Sequence, residues 1–228
     1  MVRWLDPVAA ALDAAPQPVP VFFRDDDAGW SDDRLCGLLD RFSAHELPVD
    51  IAAIPQALGP GMARELVARG VAVHQHGLAH VNHEPEGRKH EFGPSRSRDA
   101  QRRDIEAGRE LLAERLDGAV DPIFTPPWNR CTRDTGLCLA ELGFSVLSRE
   151  SRAEPLGVQG LRELPVSLDF VRLEPDELAR RFAAARPPVG VMFHHAEMDD
   201  SAMARAGELL ALLAGHGRVV ARPMMALV

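Results

Sequence analysis

Short apolar segments and amphipathic segments alternate along the whole chain, and this alternation limits the possible folds more than any other feature of the sequence. The apolar segments are rich in β-branched and aromatic residues, as in residues 18–24 (PVPVFFR), 49–54 (VDIAAI) and 189–194 (VGVMFH). The segments between them carry apolar residues at helical spacing, as in residues 31–47 and 99–117. This order indicates a parallel β-sheet that is covered by helices.

Roughly seven or eight strand–helix repeats in a chain of this length favour a closed or nearly closed barrel. The sequence therefore predicts an α/β fold with a single domain over residues 1–228. The alternative is an open, doubly wound sheet, but no GxGxxG motif follows the first apolar segment. The predicted strands cover residues 18–24, 49–54, 71–73, 121–125, 144–147, 161–170, 189–194 and 217–222. The predicted helices cover residues 1–16, 31–47, 61–69, 99–117, 132–142, 175–185 and 201–214.

Charge and composition exclude several classes of partner. A net charge of −8 and a pI near 5.6 argue against nucleic acid or an anionic membrane. The apolar runs are all shorter than the roughly 20 residues of a membrane span, and the N-terminal segment, which aspartates interrupt, is typical of an amphipathic helix and not of a signal peptide. Three cysteines without a CxxC motif indicate a reducing compartment. We therefore expect a cytoplasmic protein, with Cys131 as a small buried residue.

Four of the nine histidines, His74, His76, His80 and His83, lie within ten residues of one another. His76 and His80 are four residues apart, directly after a strand-like segment, with Gly77 allowing the chain to turn. This spacing lets two neutral imidazoles bind one divalent cation. The alternative is a histidine-rich surface loop, since a metal site needs at least a third ligand.

Polar residues cluster where the predicted strands end. These clusters are Asp25–Asp27, His74–His80, residues 125–129 (TPPWN) and His194–His195. In α/β folds the carboxyl ends of the strands meet on the active face. Carboxylate and imidazole ligands without a thiolate suit a catalytic Zn²⁺ site that keeps a position for water, while another carboxylate and histidine could act as general base and acid. The alternatives are a loop or helix-capping role for the aspartates, and one core and one exposed histidine.

Taken in order, these segments resemble the motifs of the polysaccharide deacetylases, the NodB-like carbohydrate esterases. The matching segments are residues 23–30 (FRDDDAGW), 76–80 (HGLAH), 125–129 (TPPWN) and 191–194 (VMFH). The resemblance spans residues 20–196 and implies a distorted (β/α)7 barrel. It also implies metal-dependent removal of an N-acetyl or related acyl group from a sugar or another small substrate.

The resemblance further implies a role for individual residues. Asp27, His76 and His80 would hold a divalent metal, with Zn²⁺ expected. Asp26 would be the general base for metal-activated water, His194 the general acid with His195 as the fallback, and the backbone N–H of Trp128 an oxyanion donor. The register of the three aspartates stays open. Substrate contacts are expected from Pro127, Asn129, Glu91 and His195.

The chain also departs from the family pattern. Thr125 stands where the family has an arginine that orients the base, and Arg24 or Arg130 could replace it. The family's Asp-Trp motif is not evident, and Ser148-Arg149-Glu150 occupies that region. These departures suggest a divergent branch with a small or intracellular substrate. One alternative is a barrel that binds metal and ligand without catalysis, and another is an iron oxygenase, which the strand–helix alternation disfavours.

Overall fold

The computed structural model describes residues 3–228, with side chains from Trp4 onward. The strands are β1 (Val19–Ala28), β2 (Asp50–Ala53), β3 (Ala72–His76), β4 (Asp121–Thr125), β5 (Val146–Leu147), β6 (Arg162–Glu163), β7 (Leu168–Asp169), β8 (Val189–Phe193) and β9 (Val219–Ala221). The helices are α1 (Asp6–Ala14), α2 (Asp32–Ala44), α3 (Pro60–Arg69), α4 (Arg98–Arg115), α5 (Arg133–Glu141), α6 (Pro175–Ala184) and α7 (Asp200–Gly215). Short 3-10 helices lie at Arg3–Leu5, Pro127–Asn129, His195–Glu197 and Met224–Leu227. Among the described residues, we find no helix with the length and apolar character to cross a membrane.

The predicted alternation of strands and helices is confirmed, although several boundaries differ. β1 continues through the three aspartates to Ala28, because their side chains have partners inside the protein. The extended segment predicted over residues 161–170 is two strands of two residues each. Helix α2 begins at Asp32 and ends at Ala44, inside the predicted range of residues 31–47, and Ser31 before it has a left-handed backbone at φ 50° and no capping hydrogen bond from its side chain.

The chain divides into two compact units. The first unit comprises the residues up to Asp26, then Ser31–Asp50 and Val166–Leu227. Its strands β7, β8, β1 and β9 lie side by side in that order, and each pair is parallel. The prediction of a single domain stays a prediction.

The second unit comprises Asp27–Trp30, Ile51–Pro165 and Val228. Its strands β3, β4, β5 and β6 lie in sequence order, and each described pair is parallel. β1 contributes its last two residues, Asp27 and Ala28, to this unit. The polar residues predicted at strand ends therefore fall in both units, with the division inside the aspartate run.

Buried phenylalanines hold the strand ends from which the site residues project. Phe193, directly before His194, packs at 5.6 Å from Phe42 in the first unit. Phe124, directly before Thr125, packs edge-on at 5.3 Å from Phe92 in the second. Successive residues of a strand point to opposite faces. An apolar residue anchored in the core thus directs its polar neighbour away from that core.

Candidate functional site

Three predicted metal ligands converge in the second unit. The Oδ1 atom of Asp27 lies 3.1 Å from Nε2 of His76 and 3.3 Å from Nε2 of His80. One ligand atom from each residue can be chosen so that all three lie within 4.8 Å of one another. Ligand atoms about 2 Å from a tetrahedral ion lie roughly 3.3 Å apart, so the three side chains fit one divalent cation.

The backbone is bent at two of these ligands. Asp27 has φ 73° and His80 has φ 58°, both in the left-handed region that side chains rarely adopt. The chain forms a tight turn directly after Asp27, in which the N–H of Trp30 donates to the carbonyl of Asp27 at 3.1 Å. Gly29 allows this turn, since a Cβ there would lie 2.8 Å from the backbone of Ala57. Unusual backbone conformations often occur at functional sites, where the surrounding structure maintains them.

Thr125 contacts both histidines that project from β3. Nδ1 of His76 lies 3.0 Å from the carbonyl oxygen of Thr125. When Nδ1–H donates to that oxygen, the lone pair of Nε2 faces Asp27, which is the tautomer and orientation that a metal ligand requires. Nε2 of His74 lies 2.9 Å from the Thr125 hydroxyl, and both side chains are fully buried. The backbone carbonyl of Thr125 thus orients a predicted metal ligand.

Two tryptophans flank His80. The ring of Trp30 lies 4.8 Å from the His80 ring, and the ring of Trp128 lies 4.5 Å from it. Trp30 is 40% exposed although it is a large apolar side chain. Nζ of Lys89 lies 5.9 Å from the centre of the Trp128 ring, within the range of a cation–π contact. Exposed indole surface therefore lies beside a predicted metal ligand.

The TPPWN segment forms a short 3-10 helix with two left-handed residues, Trp128 at φ 55° and Asn129 at φ 58°. Pro127 is buried against Gly77, because a Cβ on that glycine would lie 2.7 Å from Cγ of Pro127. Asn129 is also buried. The structure therefore brings this segment against the turn between His76 and His80, while the predicted substrate contacts of Pro127 and Asn129 stay predictions.

Glu91 lies inside the protein, with 1% of its surface exposed. Its carboxylate accepts hydrogen bonds from the backbone N–H groups of Ala79 at 2.7 Å and Leu78 at 3.2 Å. Burial raises the pKa of Glu91, and the hydrogen bonds from Ala79 and Leu78 oppose this shift. The predicted substrate contact of Glu91 stays a prediction, and its buried position favours a different role.

A second cluster, in the first unit, contains the other predicted catalytic residues. Nε of Arg24 donates to Oδ1 of Asp26 at 2.7 Å, and Nη2 donates to Oδ2 at 2.9 Å. Asp25 accepts from the backbone N–H of His195 at 3.0 Å, and its other oxygen lies 2.6 Å from Nδ1 of His195. Both side chains of this second pair are fully buried.

His194 lies between two carboxylates. Its Nε2 is 3.9 Å from Oδ2 of Asp26, and its Nδ1 is 3.9 Å from Oδ1 of Asp169 on β7. The sequence analysis did not identify Asp169, which is one of two acidic residues in the segment predicted as extended over residues 161–170 and lies next to its end. It named Arg24 only as one of two candidates, and the signal was a charged residue two positions before Asp26, on the same face of the strand.

The three adjacent aspartates thus have three different sets of partners. Asp25 pairs with His195, Asp26 with Arg24, and Asp27 with His76 and His80. His195, predicted as a substrate contact and as the fallback acid, is fully buried, while His194 retains some exposed surface. The partners of Asp25 support neither a metal role nor a general-base role for that residue.

Comparison of the sequence with protein-family models gives no match, and comparison with curated proteins gives none either. Comparison with solved structures gives many. A protein from Mycobacterium smegmatis, assigned as a polysaccharide deacetylase, superposes with a TM-score of 0.71 at 17% identity, over 94% of this chain and 90% of that chain. A family 4 carbohydrate esterase from Streptomyces lividans, in complex with acetate, gives a TM-score of 0.63 at 16% identity, over 91% of this chain and 93% of that chain.

A family 4 pseudoenzyme from Bacillus anthracis also matches, with a TM-score of 0.65 at 15% identity, over 93% of this chain and 66% of that chain. A mutant of a family 4 pseudoenzyme, described as having restored enzymatic activity, gives a TM-score of 0.66 at 18% identity, over 93% of this chain and 68% of that chain. At such identities the likeness concerns the fold. The chain has the fold of the polysaccharide deacetylases, the α/β distorted (β/α)7 barrel that its motifs predicted.

Proposed function

We propose that this protein is a metal-dependent hydrolase that removes an N-acetyl or related acyl group from a sugar or another small substrate. The observation that carries the proposal is the convergence of Asp27, His76 and His80, whose donor atoms lie within 4.8 Å of one another. Two imidazoles and one carboxylate form the donor set of catalytic zinc sites. The fold supports the same reaction class, because several proteins that share it are named as deacetylases or carbohydrate esterases.

Zn²⁺ is the proposed cofactor, and it would lower the pKa of a bound water and polarise the acyl oxygen. The chain's own residues hold and orient the donor atoms. Asp27 and His76 are almost fully buried, which limits competition from water. The carbonyl of Thr125 fixes the orientation of His76, and the two tryptophans enclose His80.

Asp26 is the proposed general base. It directly precedes the proposed ligand Asp27 in the sequence. Arg24 holds both of its oxygens, and this arrangement fixes the orientation of the carboxylate and compensates its buried charge. Asp26 would accept the proton that the attacking water loses.

His194 is the proposed general acid for the leaving amine. One of its nitrogens lies near Asp26 and the other near Asp169. The imidazole therefore lies between the proposed base and a second carboxylate, where it could pass a proton to the leaving amine. The backbone N–H of Trp128 is the proposed oxyanion donor, and the left-handed backbone at that residue is consistent with a functional constraint.

The surroundings of His80 favour a substrate that has an apolar face and a polar rim, as a sugar ring has. Trp30 and Trp128 offer aromatic surface, and Lys89 beside Trp128 offers a hydrogen-bond donor. We therefore propose an N-acylated saccharide or a comparable small molecule as the substrate. Pro127 and Asn129 are proposed to line the same region.

A barrel that binds metal without catalysis is the second candidate. Thr125 in place of the family's arginine favours it, and so does the match to a pseudoenzyme. The ion pair between Arg24 and Asp26 argues against it, because it supplies the base with the arginine that Thr125 does not provide.

Metal content and acetate release together test the proposal. Elemental mass spectrometry should find about one Zn²⁺ per chain in the wild type and in His83→Ala, an exposed histidine of the same cluster, but little in His76→Ala. The wild type should then release acetate from N-acetylated sugars. A wild type that holds no metal after supplementation would overturn the proposal. Bound metal without turnover of any acylated sugar would favour a metal-binding protein without catalysis. Bound iron with O₂-dependent activity would indicate an oxygenase.

A further inference from the structure

The turn between the two histidine ligands, residues 76–80 and called here the HGLAH turn, is held at its backbone by other parts of the second unit. The carbonyl of Gly77 accepts from the side-chain amide of Gln75 at 2.9 Å. The carbonyl of Leu78 accepts from the backbone N–H of Gln56 at 2.9 Å. The N–H groups of Leu78 and Ala79 donate to Glu91. Glu91 is therefore the charged residue among the described partners of this backbone.

Burial of the Glu91 carboxylate carries a free-energy cost. Transfer of a carboxylate into the interior disfavours its ionised form, and burial raises the pKa of Glu91 although backbone hydrogen bonds oppose the shift. A neutral side chain with the same shape would avoid this cost. A carboxylate can accept a hydrogen bond on each of its two oxygens, one from each of two successive N–H groups. An amide side chain has only one acceptor oxygen and cannot do this.

The neighbouring residues leave room for this carboxylate and hold it in place. Gly77 has φ 62°, and a Cβ there would lie 2.0 Å from Oε2 of Glu91, so only glycine fits at the start of the turn. Phe92, directly after Glu91, is fully buried and forms a parallel bridge with Cys131. Arg96 lies close to the same segment, with Nη1 3.5 Å from the carbonyl of Glu91. The carboxylate therefore has a rigid support.

We propose that Glu91 is a positioning residue for the metal site, and that it acts on the HGLAH turn instead of contacting substrate. This inference rests on the proposed function, since it concerns the same site. By holding the N–H groups of Leu78 and Ala79, Glu91 fixes the path of the chain into His80, whose backbone is left-handed at φ 58°. Groups that hydrogen-bond ligand side chains typically contribute about 10- to 100-fold in metal affinity, and we expect Glu91, which holds the backbone between two ligands, to contribute at the lower end of this range.

The test is a titration of apo protein with Zn²⁺ alone, followed by Co²⁺ as a spectroscopic probe. Glu91→Gln keeps the shape but places an NH₂ group against one backbone N–H, and we expect it to weaken Zn²⁺ binding about 10-fold or more. Glu91→Ala removes both acceptors and should weaken binding further. The visible spectrum of the Co²⁺ form should change in Glu91→Gln, because a shifted His80 alters the ligand geometry. Amide hydrogen exchange at Leu78 and Ala79 should also become faster.

Glu84→Gln is the matched control. Glu84 lies in the same loop and its carboxylate also accepts a backbone N–H, from Ser95 at 3.1 Å, but this bond lies within the loop and away from the HGLAH turn. We expect this variant to bind Zn²⁺ as the wild type does. Equal Zn²⁺ affinity in Glu91→Gln and the wild type would overturn the inference and leave the proposed function intact. A wild type that binds no Zn²⁺ would overturn both.

Discussion

Arg24 holds both carboxylate oxygens of Asp26 inside the first unit, and the two side chains are 0% and 1% exposed. Arg24 and Asp26 are two residues apart on β1, so the alternation of the strand places them on the same face. Arg24 also contacts Sδ of Met192 on the neighbouring strand β8. A charge within an apolar strand thus has a local partner, and the proposed base has a fixed orientation.

Replacement of Arg24 by methionine should destabilise the protein by about 3–5 kcal/mol, because it leaves the Asp26 carboxylate buried without a counter-charge. The double variant Arg24→Met/Asp26→Asn should recover a large part of this loss, since neither charge is then buried. Urea unfolding measures both values. As a control, Arg34→Met breaks the exposed pair with Asp200 and should change stability by less than about 1 kcal/mol. Equal destabilisation by Arg24→Met and Arg34→Met would contradict the interpretation of the buried pair.

Arg24→Lys tests orientation separately from charge. Lysine keeps the positive charge but cannot donate two parallel hydrogen bonds to one carboxylate. We therefore expect this variant to fold and bind metal, while kcat falls by roughly 10- to 100-fold. Steady-state kinetics on an N-acetylated sugar, with metal content measured on the same sample, checks this. An unchanged kcat would show that catalysis does not depend on the two parallel hydrogen bonds from Arg24 to Asp26.

The adjacent histidines should differ in their effects. His194→Ala should lower kcat by at least about 100-fold with little loss of stability, because His194 is the proposed acid and its Nδ1 forms no close hydrogen bond with Asp169. His195→Ala should lower stability by about 3–5 kcal/mol, because the buried Asp25 carboxylate keeps the backbone N–H of residue 195 but loses the imidazole at 2.6 Å. His195→Asn keeps a side-chain donor for Asp25 and should lose less. Acetate release and urea unfolding on all three variants separate the catalytic role of His194 from the structural role of His195. A large loss of kcat in His195→Asn alone would instead assign the general acid to His195.

The convergence of Asp27, His76 and His80 could be predicted from the sequence, but the partners of the other polar residues could not. Polar residues after apolar strands, such as the aspartates after Phe23 and His194 after Phe193, indicate an active face because strand ends in α/β folds meet there. The choice among Asp25, Asp26 and Asp27 depends on which element faces each side chain, and local pattern carries no information about that. Asp27 illustrates the limit, since its φ of 73° interrupts the strand alternation.

The same limit explains Glu91 and Asp169. Glu91 lies in a polar, irregular segment, and such composition normally indicates a solvated loop. Its burial follows from long-range contacts with the HGLAH turn and from the core residue Phe92 beside it. Asp169 ends a strand of only two residues, too short for periodicity to define. In both cases the tertiary environment sets the role of the side chain, and the residue type alone does not reveal it.

Cys131 should be unreactive in the native protein. The residue is only partly buried, where the sequence predicted a buried one, but burial of the thiol raises its pKa to about 12, although the charge of Arg149 acts in the opposite direction. Because the thiolate is the nucleophile, a pKa about three units above the ordinary value lowers its reactivity at pH 8 by roughly 1,000-fold. Alkylation by iodoacetamide, followed by mass spectrometry, should label Cys131 slowly in the native state and readily in urea. Rapid native labelling would indicate an accessible thiolate.

Trp30→Ala should weaken substrate binding without removing the metal. The indole ring is 40% exposed and lies 4.8 Å from the ring of His80, so its loss removes aromatic surface beside the site and little of the core. We expect KM for an N-acetylated sugar to rise roughly tenfold, with Trp30→Phe intermediate and Zn²⁺ content unchanged. Trp4→Phe is the control, because Trp4 lies in the first unit and donates to Glu208 at 2.8 Å. Binding of the sugar to apo and Zn²⁺-loaded protein, followed by tryptophan fluorescence, gives a second readout that needs no turnover. If Trp30→Ala binds the sugar as tightly as Trp4→Phe does, the exposed indole is not part of the substrate site, and the sugar must be recognised by other residues near the metal.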